Sequence, residues 1–181
     1  MEIQETPLKD CVILIPEVFE DRRGFFFESF NQNTFEKLCK QPFSFKQDNT
    51  SFSHYGVIRG LHAQSGSSSQ AKIVSVLQGE VLDVVVDIRP DSPTFGKKYS
   101  IRLSAESHQQ LFIPKGFLHG FSTLSKTALF FYKCDAFYDK HAEIGVRYND
   151  PDLNIDWEVP EKDHLLSAKD LALPSFKNLK L

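Results

Sequence analysis

The sequence has no stretch approaching the roughly 18 apolar residues that a membrane-spanning helix needs. Its opening, MEIQETPLKD, lacks the basic-then-apolar order of a secretory signal, so a cytoplasmic address is expected. Cysteine is scarce: Cys11, Cys39 and Cys134 are widely spaced, odd in number and form no CxxC pair. A zinc knuckle and a disulfide framework are therefore excluded, and reduced thiols are expected. Charge of one sign is lacking too, the formal net being −3. Neither nucleic acid nor an anionic membrane is an expected partner, and any phosphate-bearing ligand must meet a local basic cluster.

What the chain does hold in excess is phenylalanine, 17 residues against one Met and one Trp. Phe packs well on pleated surfaces and leans the composition towards β structure. The 181 residues suit one domain, 1–181, long enough to bury roughly two-thirds of the unfolded surface. One early helix is predicted, capped by Asn33, with Glu36 at its third position and Phe35, Leu38 and Cys39 on one face. From Phe43 to Tyr138 the pattern is mostly strand. Lys72–Leu77 and Val81–Arg89 flank Gln78-Gly79-Glu80, which reads as a hairpin-like turn. Further strands are predicted at Tyr99–Leu103, Gln110–Ile113 and Ala128–Cys134. In Gln47, Asn49, Ser51 and Ser53 the polar residues alternate; they either face water or line a polar interior. Ser65–Ser69 reads as a flexible loop, and Ser167 as the cap of a short helix in a proline-interrupted tail. Many short strands with regular turns point to an all-β jelly-roll barrel with a few short peripheral helices.

Ile113-Pro114-Lys115-Gly116-Phe117-Leu118-His119 resembles the second half of the cupin signature, which supports a cupin-like barrel. The first half would supply two histidines, but the stretch here is Gly60-Leu61-His62-Ala63-Gln64. An amide replaces the second ligand, and two imidazoles without a third strong ligand make a poor metal site. No metal and no cofactor are expected. A neutral imidazole can instead serve as a general base. His54, His108, His141 and His164 read as surface or hydrogen-bonded residues. His62 differs, because it closes a stretch dense in Gln, Asn, Arg and His.

That stretch, Q-x-N-x-S-x-S-x-x-G-V-x-R-G-L-H-x-Q from Gln47 to Gln64, resembles the signature of the dTDP-4-keto-6-deoxyglucose 3,5-epimerases. Asp21-Arg22-Arg23-Gly24-Phe25-Phe26 is similar to an earlier block of that family. Ordered later blocks include Gly79–Val84, Asp87–Arg89, Ile113–Phe121, Tyr132-Lys133, Asp150-Pro151 and Leu166–Asp170, so the likeness runs from about Phe19 to Asp170. The chain departs from the family at Ala63 and the serine-rich loop, where an aromatic residue and prolines are usual. The resemblance implies a homodimer acting on a nucleotide-linked keto sugar. His62 would be the base, Asp170 its orienting carboxylate, Lys72 the enolate stabiliser and Tyr132 the acid on the far face. It further implies Arg23, Arg59 and Lys169 around the diphosphate. Glu28, Gln47, Asn49, His119 and Glu143 would bond sugar or base, and Tyr138 would stack on thymine.

Each residue also has a plainer reading. Asp170 three positions after Ser167 could be only half of a capping box, Tyr132 a core tyrosine, Lys72 a solvated strand residue. Epimerases that invert one carbon, metal-dependent cupin enzymes and non-catalytic sugar-binding cupins are competing classes. Strand parity adds one structural expectation. Arg59 and His62 are three positions apart, so a regular strand would send them to opposite faces. For both to reach one cavity, the chain must bulge or kink at Gly60-Leu61.

Overall fold

The computed structural model describes residues 1–40 and 42–180. Two antiparallel sheets face each other. The first is ordered β1-β2-β10-β7-β12-β5 and the second β13-β6-β11-β8-β9. In chain order the strands are β1 (Glu2–Glu5), β2 (Val12–Ile15), β3 (Val18–Asp21), β4 (Gly24–Phe27), β5 (Gln47–His54), β6 (Ile58–Gln64) and β7 (Lys72–Gln78). They continue as β8 (Glu80–Asp87), β9 (Lys98–Ser104), β10 (Gln110–Ile113), β11 (Phe117–Thr123), β12 (Thr127–Cys134) and β13 (Glu143–Gly145). Helices α1 (Gln32–Cys39) and α2 (Ala168–Leu171) lie outside the sheets. This is the expected jelly-roll barrel.

Alternation along β8 shows how the layers arise. Val81, Val85 and the Asp83 and Asp87 carboxylates share the face turned into the barrel, where the two valines meet Val74, Val76, Leu103, Leu111, Phe121 and Phe130. Leu82, Val84 and Val86 turn the other way, against Leu153 and Trp157 of the tail. The irregular tail therefore covers the outside of the five-stranded sheet. It is pinned there by Ser122 Oγ donating to Trp157 O at 2.7 Å and by Trp157 Nε1 donating to Tyr148 O at 2.9 Å. On the outside of the other sheet Phe35 of α1 is fully buried among Phe30, Phe43, Phe45 and Phe112, which accounts for much of the phenylalanine excess.

Two sequence expectations are corrected. The helix cap is Asn31, whose side chain accepts from Thr34 N, rather than Asn33. An asparagine two positions earlier fills the same role, and Glu36 is occupied instead by Phe43 N. The turn at Gln78-Gly79-Glu80 is no hairpin either: β7 and β8 belong to different sheets, so the chain turns a corner between them. A Cβ at Gly79 would sit 2.1 Å from Thr127 O, so the backbone of the next turn fills the space a hairpin side chain would need. The strands β1, β2, β3, β4, β11 and β13 carry no strand range in the sequence reading; all but the seven-residue β11 have four residues or fewer.

Candidate active site

The Gly60-Leu61 expectation holds. On β11, His119 pairs with His62 and Phe121 with Arg59, so Gly120 alone opposes Gly60 and Leu61, the two-against-one count of a bulge. The Gly60–Leu61 peptide is cis and Gly60 has φ +114°. A Cβ on Gly60 would lie 2.6 Å from Gly120 Cα and 2.7 Å from His119 O, so the two strands touch through glycine. The bulge resets the alternation and lets Arg59 and His62 serve the same interior.

His62 stands between two neighbouring strands, paired with His119 of β11 and Gly145 of β13. Its Nε2 lies 2.6 Å from Asp170 Oδ1. Asp170 is brought there by the tail. Leu165 pairs its backbone with Gly56 and Ile58 beside β6, and α2 begins three residues later. Ser167 caps α2 by accepting from Asp170 N at 3.1 Å, while its hydroxyl donates to Asp170 Oδ2 at 2.8 Å. Asp170 thus divides its oxygens, Oδ2 towards the cap at Ser167 and Oδ1 towards His62. Burial would raise the Asp170 carboxyl, but His62 and Ser167 outweigh it and hold it below its usual range.

The opposite wall is drier. Lys72 of β7 has its Nζ 5.8 Å from the centre of the Tyr132 ring. Burial draws the Lys72 ammonium below its usual pKa, with Cys134, Asp83 and Glu143 pulling it back up. Burial likewise raises the Tyr132 phenol, which stays a proton donor at neutral pH. The Arg59 charge acts on Tyr132 in the other direction. Its guanidinium is steadied by Nε donating to Ser53 Oγ at 3.1 Å and by Phe52 O. Beneath lies an aromatic floor, Phe121 stacked on Phe130 at 4.4 Å with His119 against the same ring.

The polar row of β5 lines the interior rather than facing water. Gln47 donates to Asn49, Asn49 approaches the Cys134 thiol, and Ser53 is buried against Arg59. At the rim, Tyr138 OH donates to Glu143 Oε2 at 2.6 Å, and Lys169 pairs with the other Glu143 oxygen. His119 Nε2 lies 2.8 Å from Asp83 Oδ2, a carboxylate with no exposure at all. Asp83 was missed in the sequence, although a carboxylate inside the apolar run Val81–Ile88 was a signal, because a buried charge needs a partner. Arg23 and Glu28 are not brought together with the rest in this chain. Arg23 pairs with Asp21 on the β3–β4 hairpin, and Glu28 accepts from Asn31.

The cupin likeness raises the question of a metal. Among the described residues no three His, Cys, Asp or Glu side chains converge to hold one. Gln64, at the second ligand position, accepts from Asp139 N at 2.9 Å and is engaged in the backbone. These residues do not fit a metal.

Fold and site together define a class: a cupin-like barrel holding a carboxylate-backed imidazole on one wall and an undissociated phenol with a lysine on the other. Such an arrangement can support acid–base chemistry on a polar ligand. The family model for dTDP-4-dehydrorhamnose 3,5-epimerase matches residues 5–178. The dTDP-4-dehydrorhamnose 3,5-epimerase of Salmonella typhimurium is 49% identical over 96% of this chain and 94% of its own length. A crystal structure of the Elizabethkingia anophelis enzyme is 54% identical with a TM-score of 0.95, covering 98% of this chain and 97% of that one. A Legionella pneumophila 3,5-epimerase, solved with dTDP-4-keto-L-rhamnose, is 46% identical with a TM-score of 0.94, covering 99% of this chain and 94% of that one. The chain belongs to the dTDP-4-dehydrorhamnose 3,5-epimerase family.

Proposed function

We propose that the protein inverts C3 and C5 of dTDP-4-keto-6-deoxy-D-glucose, giving dTDP-4-keto-L-rhamnose without a cofactor. The observation that carries this reading is the His62–Asp170 pair facing Lys72 and Tyr132 across one polar interior. Either carbon is acidified by the C4 ketone beside it. The ring nitrogen of His62 turned away from Asp170 takes the proton, and the C–H electron pair forms the enolate double bond to C4, leaving the negative charge on the C4 oxygen. Lys72 stabilises that charge. Tyr132 returns a proton from the opposite face, which completes the inversion. Asp170 orients the imidazole and stabilises it once protonated. Arg59 and Lys169 serve the diphosphate, His119, Glu143 and Asn49 the polar groups of sugar and base, and Tyr138 the thymine ring.

The molecule works as a cytoplasmic homodimer in this reading. Its three cysteines are free, as suits a reducing compartment, and no helix among the described residues is long and apolar enough to cross a membrane. The β3–β4 hairpin is a separate two-stranded sheet that exposes Phe19, Phe25 and Phe26. A second copy covering those rings would let the hairpin carry Arg23 and Glu28 to the partner's cavity. Proton NMR of the keto sugar in D₂O tests the function. Enzyme should wash deuterium into both C3 and C5. Exchange at one carbon would indicate a single-centre epimerase, and exchange at neither would indicate a sugar-binding barrel.

A further inference from the structure

Gln64 has no part in proton transfer, yet it is 6% exposed and points its amide oxygen at one backbone N–H. It belongs to a set of three glutamines around the segment 135–143. Gln70 Nε2 donates to Ala136 O at 2.8 Å, Gln47 Oε1 accepts from Tyr138 N at 2.9 Å, and Gln64 Oε1 accepts from Asp139 N at 2.9 Å. Gln47 comes from the six-stranded sheet and Gln64 from the five-stranded one, so the segment is tied to both walls. The two peptide N–H groups on either side of the Tyr138 side chain are the ones held. The ring itself is half exposed and has one polar anchor, its hydroxyl on Glu143, which stands opposite Gln64 in the β13–β6 register.

We infer that Gln64 is a positioning residue for nucleotide binding, fixing the backbone at Asp139 so that the Tyr138 ring is held ready for the base; this rests on the reading of Tyr138 as the base platform. A buried amide acceptor suits the task, because an unanswered N–H at Asp139 would have to move towards water and carry Tyr138 with it. The amide that disqualifies this position as a metal ligand is here the group that shapes the ligand site. Gln47 shares the role, its oxygen being engaged with Tyr138 N.

Titration of thymidine diphosphate by calorimetry, with epimerisation kinetics alongside, tests this. Gln64→Met keeps the length and removes the acceptor. It should weaken dTDP binding about tenfold while kcat stays within about twofold. In a Tyr138→Ala background, Gln64→Met should add almost nothing, since it acts through the ring already removed. Unchanged dTDP affinity in Gln64→Met, or a full additional loss on top of Tyr138→Ala, overturns the inference. If Tyr138→Ala by itself binds dTDP like the parent, the base-platform reading fails first and the inference falls with it. Should Gln64→Met not fold, Gln64→Asn stays neutral but is one methylene too short to reach Asp139 N, and should also weaken dTDP binding about tenfold. Unchanged affinity there overturns it as well.

Discussion

Two histidine–aspartate pairs stand side by side on β6 and β11, with His62 and His119 directly opposed in the register. They are built differently. His119 takes its carboxylate from Asp83 on the adjacent strand, and the pair is sealed, with side-chain exposures of 10% and 0%. His62 takes its carboxylate from α2, at the end of a tail that has wrapped the outside of the sheet, and keeps 29% of its side chain open. A sealed imidazole with one nitrogen on a buried carboxylate is fixed in place and suits a steady hydrogen bond. An imidazole that is backed on one side and open on the other can take up and release a proton. The same two residue types thus divide into a sealed pair and an open pair, according to which part of the fold supplies the acid, and the open one is the pair proposed to react.

Exchanging the carboxylates for amides is the strongest way to break this contrast. Asp170→Asn should lower kcat by about one to two orders of magnitude across the pH range, because it removes the charge that stabilises protonated His62. Asp83→Asn should act through Lys72 instead. Burial has already lowered the Lys72 pKa, and Asp83, Cys134 and Glu143 are the groups that raise it again. Removing Asp83 drops it further, so the alkaline limb of the pH–rate profile should move to lower pH. Matching profiles for the two variants would erase the distinction between the pairs.

A second approach alters the spacing of the two histidines. Gly60→Ala puts a methyl group against the Gly120 and His119 backbones at positive φ. It should cost on the order of 2 kcal/mol of stability, read by denaturant titration, together with most of the activity. An active, stable Gly60→Ala would mean that the bulge does not set the placement of His62.

Asp87 offers a control on the same face of β8, a buried carboxylate far better supplied than Asp83. Burial would raise it, but Arg89, Ser92 and Thr94 outweigh that and hold it at about 2, below 3.8. Because the folded value is the lower one, the stability it confers is complete above about pH 4. That contribution, about 2 kcal/mol, is lost as pH falls towards 2. Asp87→Asn should flatten this part of the acid unfolding curve and leave kcat unchanged. A change in kcat would extend the reacting region further down β8 than the account allows.

Much of this was legible in the sequence because strand alternation and the long motif from Gln47 to Gln64 carry it. The strands β9, β10 and β12 fall within a residue or two of their expected limits, since apolar periodicity marks them. Parity, combined with the family resemblance that asks Arg59 and His62 to reach one cavity, located the bulge at Gly60-Leu61. What escaped depends on contacts between distant segments. Gly79 reads as a hairpin turn locally, whereas it stands at a corner between sheets with Thr127 packed beside it. Asp83 gains its partner from His119, 36 residues away, and Gln64 from Asp139, 75 residues away. Arg23 and Glu28 make only local contacts, with Asp21 and Asn31, which the sequence around them does not reveal.

The division between the pairs is tested most directly by comparing deuterium wash-in at C3 and C5 of the keto sugar, at saturating substrate, for His62→Ala and His119→Asn. The account predicts that His62→Ala loses wash-in by about three orders of magnitude at both carbons, while His119→Asn exchanges at close to the parent rate with a raised KM. Substantial wash-in by His62→Ala, with loss in His119→Asn, would assign proton abstraction to the sealed pair and contradict the account.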